Sequence, residues 1–323
     1  MVKCIVLEKI GGPESLIIKD IKIGAPGPDE VRIRQKAIGL NFVDTYFRKG
    51  AYPIALPAII GCEACGIVEE IGANVKEFQK GDRVAYATTM GAYAEERIIN
   101  QDYLVPVPDY VSDEEVAALL LKGMTAHYLL RRTFFVTPKN TILIHAAAGG
   151  AGQMLCVLAK HYGAKVIATV GSEDKKKIVE SLGVDKVINY KAEDFVRAVQ
   201  DYTKGDGVHV VYDSVGKDTF DKSLECLGDF GLMVSFGSAS GEVPDFKLSR
   251  LTEKSLFITK PSLFSYKKFR VELLLSANEV FSLIQQKVLK PHIFKKYKFS
   301  EIQEAHKDLE SRKTTGQSVI VVD

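Results

Sequence analysis

Residues 61–68 read GCEACGIV, two cysteines three apart beside a glutamate. Such a pair is half of a zinc site, a redox dithiol, or simply two small packed side chains. A structural zinc needs four ligands and a catalytic zinc three with one open position. Residues 1–122 supply only Cys4 besides this pair and contain no histidine, and the nearest histidines are His127 and His145, the latter inside an apolar run that reads as a buried strand. A metal at Cys62 and Cys65 is therefore short of ligands, and none is expected. A redox pair belongs at a helix N-terminus, whereas the following IVEEIG has strand texture. The favoured reading is two small residues in a packed β-turn.

A second stretch carries more chemistry. The apolar run TILIHAAA (141–148) leads into AGGAGQ (148–153) and then a helical pattern, the strand, glycine turn and helix on which a dinucleotide pyrophosphate rests. Gly149 permits close backbone approach, Gly152 lets the helix pack on the sheet, and the helix N-terminus offers N–H groups to the phosphates. Ala147 stands where the common fingerprint has its first glycine. Nucleotide choice is read at the end of the second strand, where NAD enzymes place a carboxylate on the ribose 2′-hydroxyl. Here KVIATV ends in Gly171 and Ser172, with Lys175, Lys176 and Lys177 following. With no carboxylate there, a hydroxyl and a lysine can hold a 2′-phosphate, and NADPH is predicted over NADH.

These motifs need a scaffold that the rest of the chain describes. At 323 residues, 46% hydrophobic and 26% charged, the chain has material for about two globular domains. The net charge of +2 gives no reason to expect a polyanionic partner. The longest apolar stretch, near 116–121, is too short to cross a bilayer, and Glu8 interrupts the N-terminal MVKCIVLEKI where a signal peptide needs an apolar core. Five cysteines without framework spacing argue against disulfides and for a reducing compartment. A cytoplasmic protein without a membrane segment is expected.

The first ~120 residues read as strands and turns, with turn clusters at GGPE, GAPGPDE, GANVKEFQKGD and PVPD. Beyond Gly123 the texture changes to six candidate strands: TILIHAAA, KVIATV, KVINY, VHVVYDSV, GLMVSFG and SLFITK. Helical stretches alternate with them, and DKKKIVESLG and KDTFDKSLECLG each end in a glycine just past an apolar-periodic stretch. Six strands in βαβ rhythm describe a doubly wound dinucleotide fold. The last ~60 residues hold an amphipathic helix over 271–284 and a closing strand QSVIVVD, which add nothing to a parallel sheet and are expected to return to the first domain. The predicted class is α/β: a mostly β domain at 1–122, a six-stranded parallel Rossmann domain at 123–261, and a return segment at 262–323.

Several stretches together carry a resemblance over essentially the whole length: IGLNFVDTYFRKGAYP (38–53), GCEACGIVEEIG (61–72), GDRVAY (81–86), LLKGMTAHYLL (120–130), HAAAGGAGQ (145–153), VYDSVG (211–216), GLMVSFG (231–237) and LESRKTTGQSV (309–319). The chain resembles the zinc-free quinone oxidoreductases, the zeta-crystallin branch of the medium-chain dehydrogenase/reductase superfamily. In the zinc-dependent cousins a cysteine stands where this chain has Asn41 and a histidine where it has Cys62. The resemblance implies a GroES-like catalytic domain and NADPH bound in the cleft between the domains, with hydride or electrons delivered to a quinone. It implies that Asn41, Tyr46 and Tyr52 line the acceptor pocket, and that Thr125 faces the nicotinamide. For the cofactor it implies Gly149, Gly150, Ala151 and Gly152 at the pyrophosphate, Gly171, Ser172 and Lys176 at the 2′-phosphate, and Tyr190 beside the adenine. Ser214 and Val215 follow strand four, Phe236 and Ser238 follow strand five, Phe264 lies past strand six near the nicotinamide, and Arg312 reaches the phosphates from the returning segment. A homodimer through the last strand of the nucleotide domain is expected.

Two other readings stand beside this one. An NADPH-dependent alkene or enone reductase would use the same metal-free site on an activated C=C bond. Nucleic-acid binding would draw on SYKKFR (265–270) and FKKYKF (294–299), where aromatics interleave with lysines. The near-neutral balance and the lack of an RNA-binding motif argue against it.

Overall fold

The 11-residue run Glu30–Leu40 alternates buried and more exposed residues through Lys36, the period of a half-buried strand, and is buried throughout its last four. In the computed structural model, which describes residues 1–311 and 313–322, this strand is the hub of the first of two compact units, Met1–Met124 with Lys267–Asp323. It pairs antiparallel with Glu63–Ile71, with Glu96–Asn100 through its first half, and with Gln317–Val321 through its last four residues. The sheet continues through Arg83–Tyr86 and Val105–Pro106 on one side and Ile293–Lys298 on the other. A small sheet of Leu16–Ile21, Val2–Leu7 and Ala58–Ile59 completes the β content. Ile33, Ile38, Val68, Val84, Ile99 and Ile320 are among the residues that form the core of this unit.

Two helices break the expected run of strands and turns in this region, Phe42–Arg48 and Asp113–Tyr128. The second opens with Asp113, Glu114 and Glu115, which favour a helix N-terminus, and continues through strong helix formers, Ala and Leu. Gly39 lets it lie against the hub strand, since a Cβ there would meet the Ala117 carbonyl oxygen at 2.3 Å. Cys62 and Cys65 do not sit in a turn: Cys65 lies within the strand Glu63–Ile71 and Cys62 immediately precedes it. Pairing across both edges of that strand accounts for the difference.

The second unit, Thr125–Tyr266, is a six-stranded parallel sheet. In chain order its strands are Thr141–Ile144, Lys165–Val170, Lys186–Asn189, Val208–Asp213, Leu227–Ser235 and Phe257–Thr259. Their spatial order is third, second, first, fourth, fifth, sixth, the doubly wound Rossmann arrangement. Five of the six residues of Lys165–Val170 are buried, as a strand covered on both faces requires. The first strand stops at Ile144, so His145 lies in the following turn rather than in the strand; Ala146 adopts a φ of 50° there. The sixth strand is only three residues long. Helices Gly150–His161, Glu173–Glu180, Phe195–Thr203 and Phe220–Cys226 make the crossovers. No described helix is long and apolar enough to cross a membrane.

Candidate active site

In the first unit, Asn41 closes the hub strand and starts the helix Phe42–Arg48. Its backbone N–H donates to Asp44 Oδ2 at 2.9 Å, fixing the first turn. That helix carries Tyr46, whose ring lies 5.2 Å from that of Tyr52. The two half-buried tyrosines therefore form one aromatic pair, braced by Phe42 and Phe47. Beside them is a feature that spacing does not reveal. Asn41 Nδ2 donates to Glu63 Oε2 at 2.9 Å, and Lys122 Nζ donates to Asn41 Oδ1 at 2.7 Å and approaches Glu63 Oε2 at 3.4 Å. All three side chains are buried, Glu63 at 0% exposure, Asn41 at 3% and Lys122 at 7%. Glu63 Oε1 also accepts the N–H of Leu121 at 2.6 Å. Burial pushes the Glu63 carboxyl up from its ordinary range, and the Lys122 ammonium pulls against that rise.

Both members of the cysteine pair are buried and carry free thiols. Burial, followed by the Asp44 charge, pushes the Cys62 thiol far up, and burial with Asp113 does the same for Cys65. A thiol held protonated is a poor nucleophile. Cys65 Sγ donates to Asp113 Oδ1 at 3.3 Å, so the two sulfurs face different carboxylates.

A further buried chain runs from Asp44. Tyr93 donates from its hydroxyl to Asp44 Oδ2 at 2.9 Å and lies 2.9 Å from His306 Nε2; Arg48 Nη1 lies 3.1 Å from His306 Nδ1, and Arg48 Nη2 donates to Glu310 at 2.6 Å. Since a guanidinium only donates, Nδ1 is the acceptor and neutral His306 carries its proton on Nε2, toward Tyr93. Burial raises Asp44 to about 7, and burial together with Arg48 lowers His306 to about 3.

In the second unit, Gly149 caps the helix Gly150–His161, so Gly150, Ala151 and Gly152 form its first turn. That turn lies at the carboxyl end of the first strand, next to the point where the strand order reverses, and its amides suit an anion. Gly152 is indispensable to the packing: a Cβ would meet the Ala146 oxygen at 2.4 Å. Gly171 follows the second strand, and a Cβ there would lie 2.6 Å from the Tyr190 hydroxyl, so the half-exposed Tyr190 packs over it. Ser172 caps the helix Glu173–Glu180, which carries Lys176 on a half-buried position. Of the two acidic residues in this turn, Glu173 and Asp174, Glu173 accepts from Asn189 Nδ2 at 2.6 Å and is thus committed within the fold.

Ser214 and Val215 form the loop after the fourth strand, held by a residue the motifs do not flag. Asp213 Oδ1 accepts the N–H groups of Val215 at 2.7 Å and Gly216 at 3.1 Å, while Oδ2 accepts from Thr219 Oγ1 at 2.7 Å. Ser223 links Asp213 to His145, whose other ring nitrogen contacts Thr169. Burial lowers His145 and Asp213 opposes that shift. Phe236 and Ser238 follow the fifth strand, and Phe264 is half-buried in the short helix Leu263–Tyr266. Thr125 is buried in the helix Asp113–Tyr128. Arg312 lies outside the described residues.

The tail segment FKKYKF falls, but for its last residue, on the strand Ile293–Lys298. Lys295 pairs with Glu304 and Asp308, Lys296 with Glu114, and Tyr297 is buried with its hydroxyl on Asp308.

Comparison with known proteins agrees with this architecture. A family model described as an alcohol dehydrogenase GroES-like domain matches residues 27–109, and one described as a zinc-binding dehydrogenase matches 150–276. The chain is 44% identical to a quinone oxidoreductase of Pseudomonas aeruginosa, over 99% of this chain and 100% of that protein. It is 41% identical to a 2-haloacrylate reductase of a Burkholderia species, over 99% of each. Among solved structures it is similar to Escherichia coli quinone oxidoreductase complexed with NADPH, at a TM-score of 0.96 and 45% identity over 99% of both chains. With Asn41 and Cys62 at the two positions where zinc-dependent cousins carry ligands, the chain belongs to the zinc-free quinone oxidoreductases of the medium-chain dehydrogenase/reductase superfamily.

Proposed function

We propose that this chain is an NADPH-dependent quinone reductase that works without a metal. The observation that carries the reading is the end-to-end likeness, at 45% identity, to a quinone oxidoreductase solved with NADPH. When bound, NADPH supplies the hydride; the chain's residues bind and orient the two reactants. The first turn Gly150–Gly152 receives the pyrophosphate. Ser172 and Lys176 hold the 2′-phosphate beside Gly171, and Tyr190 lies against the adenine. Ser214, Val215, Phe236 and Ser238 line the cofactor after strands four and five, and Phe264 and Thr125 serve the nicotinamide side. Tyr46 and Tyr52 offer flat faces and hydroxyls to an oxygenated ring, beside Asn41. Metal independence is supported by the Lys122 ammonium 2.7 Å from Asn41 Oδ1, since a divalent ion at that carboxamide would meet a like charge.

The test is NADPH oxidation with 1,4-benzoquinone and 9,10-phenanthrenequinone, run beside NADH and with metal analysis of the same sample. Turnover with NADPH in metal-free protein is expected. Activity that requires stoichiometric zinc, or no NADPH binding by calorimetry, would sink the reading. The 41% identity to a 2-haloacrylate reductase favours a second reading, reduction of an activated C=C bond, and an enone in the same assay separates the two.

The chain acts as a homodimer in this reading. Phe257 and Ile258 are exposed on the three-residue edge strand of the parallel sheet, an edge that pairing with a second copy would cover. Light scattering at the monomer mass would refute it. The five cysteines are all unpaired, which supports residence in the reducing cytoplasm. The ion pairs that occupy Lys295 and Lys296 support a structural rather than a nucleic-acid role for that strand, and a gel shift at physiological salt checks it.

A further inference from the structure

Asn41 is one of the three acceptor-pocket residues, with Tyr46 and Tyr52, that the family resemblance implies, yet its side chain has no donor to spare. One Nδ2 hydrogen goes to Glu63 Oε2 at 2.9 Å, the other to the Gly39 carbonyl at 3.3 Å, and Oδ1 accepts from Lys122. A carboxamide has two donor hydrogens, so Asn41 cannot donate to an oxygen of a bound acceptor. Lys122 can. An ammonium has three donor hydrogens, and its contacts to Asn41 Oδ1 at 2.7 Å and Glu63 Oε2 at 3.4 Å use two. The third has no acceptor among the described residues.

The ammonium is also held in place from both sides. Glu63 takes the N–H of the preceding Leu121 as well as the Lys122 charge, so backbone and side chain are tied to one carboxylate. Asn41, its other partner, opens the helix that carries Tyr46. A buried cation fixed in this way stabilises negative charge on a neighbour far better than a mobile surface lysine, because no reorganisation is needed when the charge develops.

We propose that Lys122 binds the reducible oxygen of the acceptor, as a fixed positive charge and hydrogen-bond donor, with Asn41 and Glu63 positioning it. The proposal rests on the quinone-reductase reading. Hydride transfer breaks a C–H bond of NADPH, which is oxidised to NADP⁺, and converts the quinone to a hydroquinone monoanion. A solvent proton then completes the hydroquinone. Lys122 keeps its own proton throughout and hydrogen-bonds the oxygen on which the negative charge collects. It does in this site what a Lewis acid does in a metal-dependent one.

A bland alternative is that Lys122 only neutralises buried Glu63. Replacing Lys122 alone leaves that carboxylate uncompensated and threatens the fold. The decisive variant is therefore K122M/E63Q, in which both charges disappear together. It is expected to melt close to the wild type and to bind NADPH with unchanged affinity in a fluorescence titration, while kcat with 1,4-benzoquinone falls by about 100-fold or more, the usual effect of removing one such donor. A folded double variant with kcat within about threefold of the wild type would overturn the proposal. Should the double variant not fold, K122Q/E63Q, which removes both charges together but keeps an amide donor toward Asn41 and the side chain at position 63, is judged by the same criteria. Wild-type turnover in the same experiment reports on the underlying reading. An inactive wild type overturns both, whereas a fully active double variant overturns only the role of Lys122.

Discussion

A methyl group on Gly152 would lie 2.4 Å from the carbonyl oxygen of Ala146 and 2.8 Å from the Ala147 Cα. The helix Gly150–His161 and the turn after the first parallel strand thus touch through backbone alone. Gly152→Ala forces them apart, and overpacking of this kind costs about 1–3 kcal/mol. A lower melting temperature and weaker NADPH binding should appear together. Gly149 differs, because a Cβ there meets only the Ala146 oxygen, at 3.3 Å. Gly149→Ala should hold the melting temperature within a few degrees and weaken NADPH binding alone, by crowding the pyrophosphate. Thermal melts and calorimetry on both variants check the contrast; a Gly152→Ala protein that melts like the wild type would remove the backbone contact from the account.

Asp44 and His306 sit at opposite ends of the Tyr93 hydroxyl and titrate in opposing senses. Burial raises Asp44 from 3.8 to about 7, so the folded state holds a proton that the unfolded state has lost, and this contribution to stability declines as pH rises from 3.8 to about 7. Burial and Arg48 lower His306 from 6.5 to about 3, so the unfolded state binds the extra proton, and this contribution grows as pH rises from about 3 to 6.5. Each slope is at most about 1.4 kcal/mol per pH unit, and they cancel where the windows overlap. The wild type should therefore show little net slope from this pair. Asp44→Asn should uncover the His306 slope, with stability dropping as pH falls below about 6.5. His306→Gln should uncover the opposite one, with stability dropping as pH climbs toward about 7. Urea unfolding at successive pH values between about 4 and 7 measures both. Parallel pH profiles for the two variants would mean that the groups do not titrate as described.

The parallel sheet was legible because each strand announces itself locally: KVIATV and VHVVYDSV are short apolar β-branched runs, and helical stretches separate them. Strand ends were less so, since the TILIHAAA run is apolar throughout while the backbone turns at Ala146, and no side-chain pattern marks that φ. The helix Asp113–Tyr128 was missed although DEEVAALLLKGMTAHY carries its own signal, an acidic first turn followed by strong helix formers. The Asn41, Glu63 and Lys122 cluster is a different case. Its members are 22 and 59 residues apart in the chain and meet only because the hub strand and that helix pack together. Spacing rules report on one element at a time, and such a cluster is visible only in three dimensions.

Lys176 lies in the helix capped by Ser172, and of the two acidic side chains at that turn, Glu173 and Asp174, Glu173 is committed to Asn189. A 2′-phosphate therefore meets a hydroxyl and an ammonium without a competing free carboxylate from Glu173. Lys176→Ala should raise the Michaelis constant for NADPH about tenfold or more, the loss of one charge-assisted contact of ~1.5–3 kcal/mol, and leave that for NADH nearly unchanged. Steady-state kinetics with both nucleotides decide it. Equal effects on NADPH and NADH would take Lys176 away from the 2′-phosphate.

Asp213 accepts four hydrogen bonds at the end of the fourth strand, from the N–H groups of Val215 and Gly216 and the hydroxyls of Thr219 and Ser223. It is fully buried, so Asp213→Ala strands donors that water cannot reach, at about 1–3 kcal/mol for each one left unsatisfied. The loop Ser214–Gly216 then loses its anchor, and its lining of the cofactor site should loosen with it. Asp213→Asn is gentler. Its carbonyl oxygen still accepts from Val215 and Gly216, while the Thr219 and Ser223 hydroxyls can rotate to accept from the new amide. The expected order is a melting temperature and NADPH affinity that fall sharply in Asp213→Ala and recover most of the way in Asp213→Asn, read by thermal denaturation and calorimetry. Equal losses in the two variants would show that the charge of Asp213, rather than its grip on the loop amides, holds this end of the sheet.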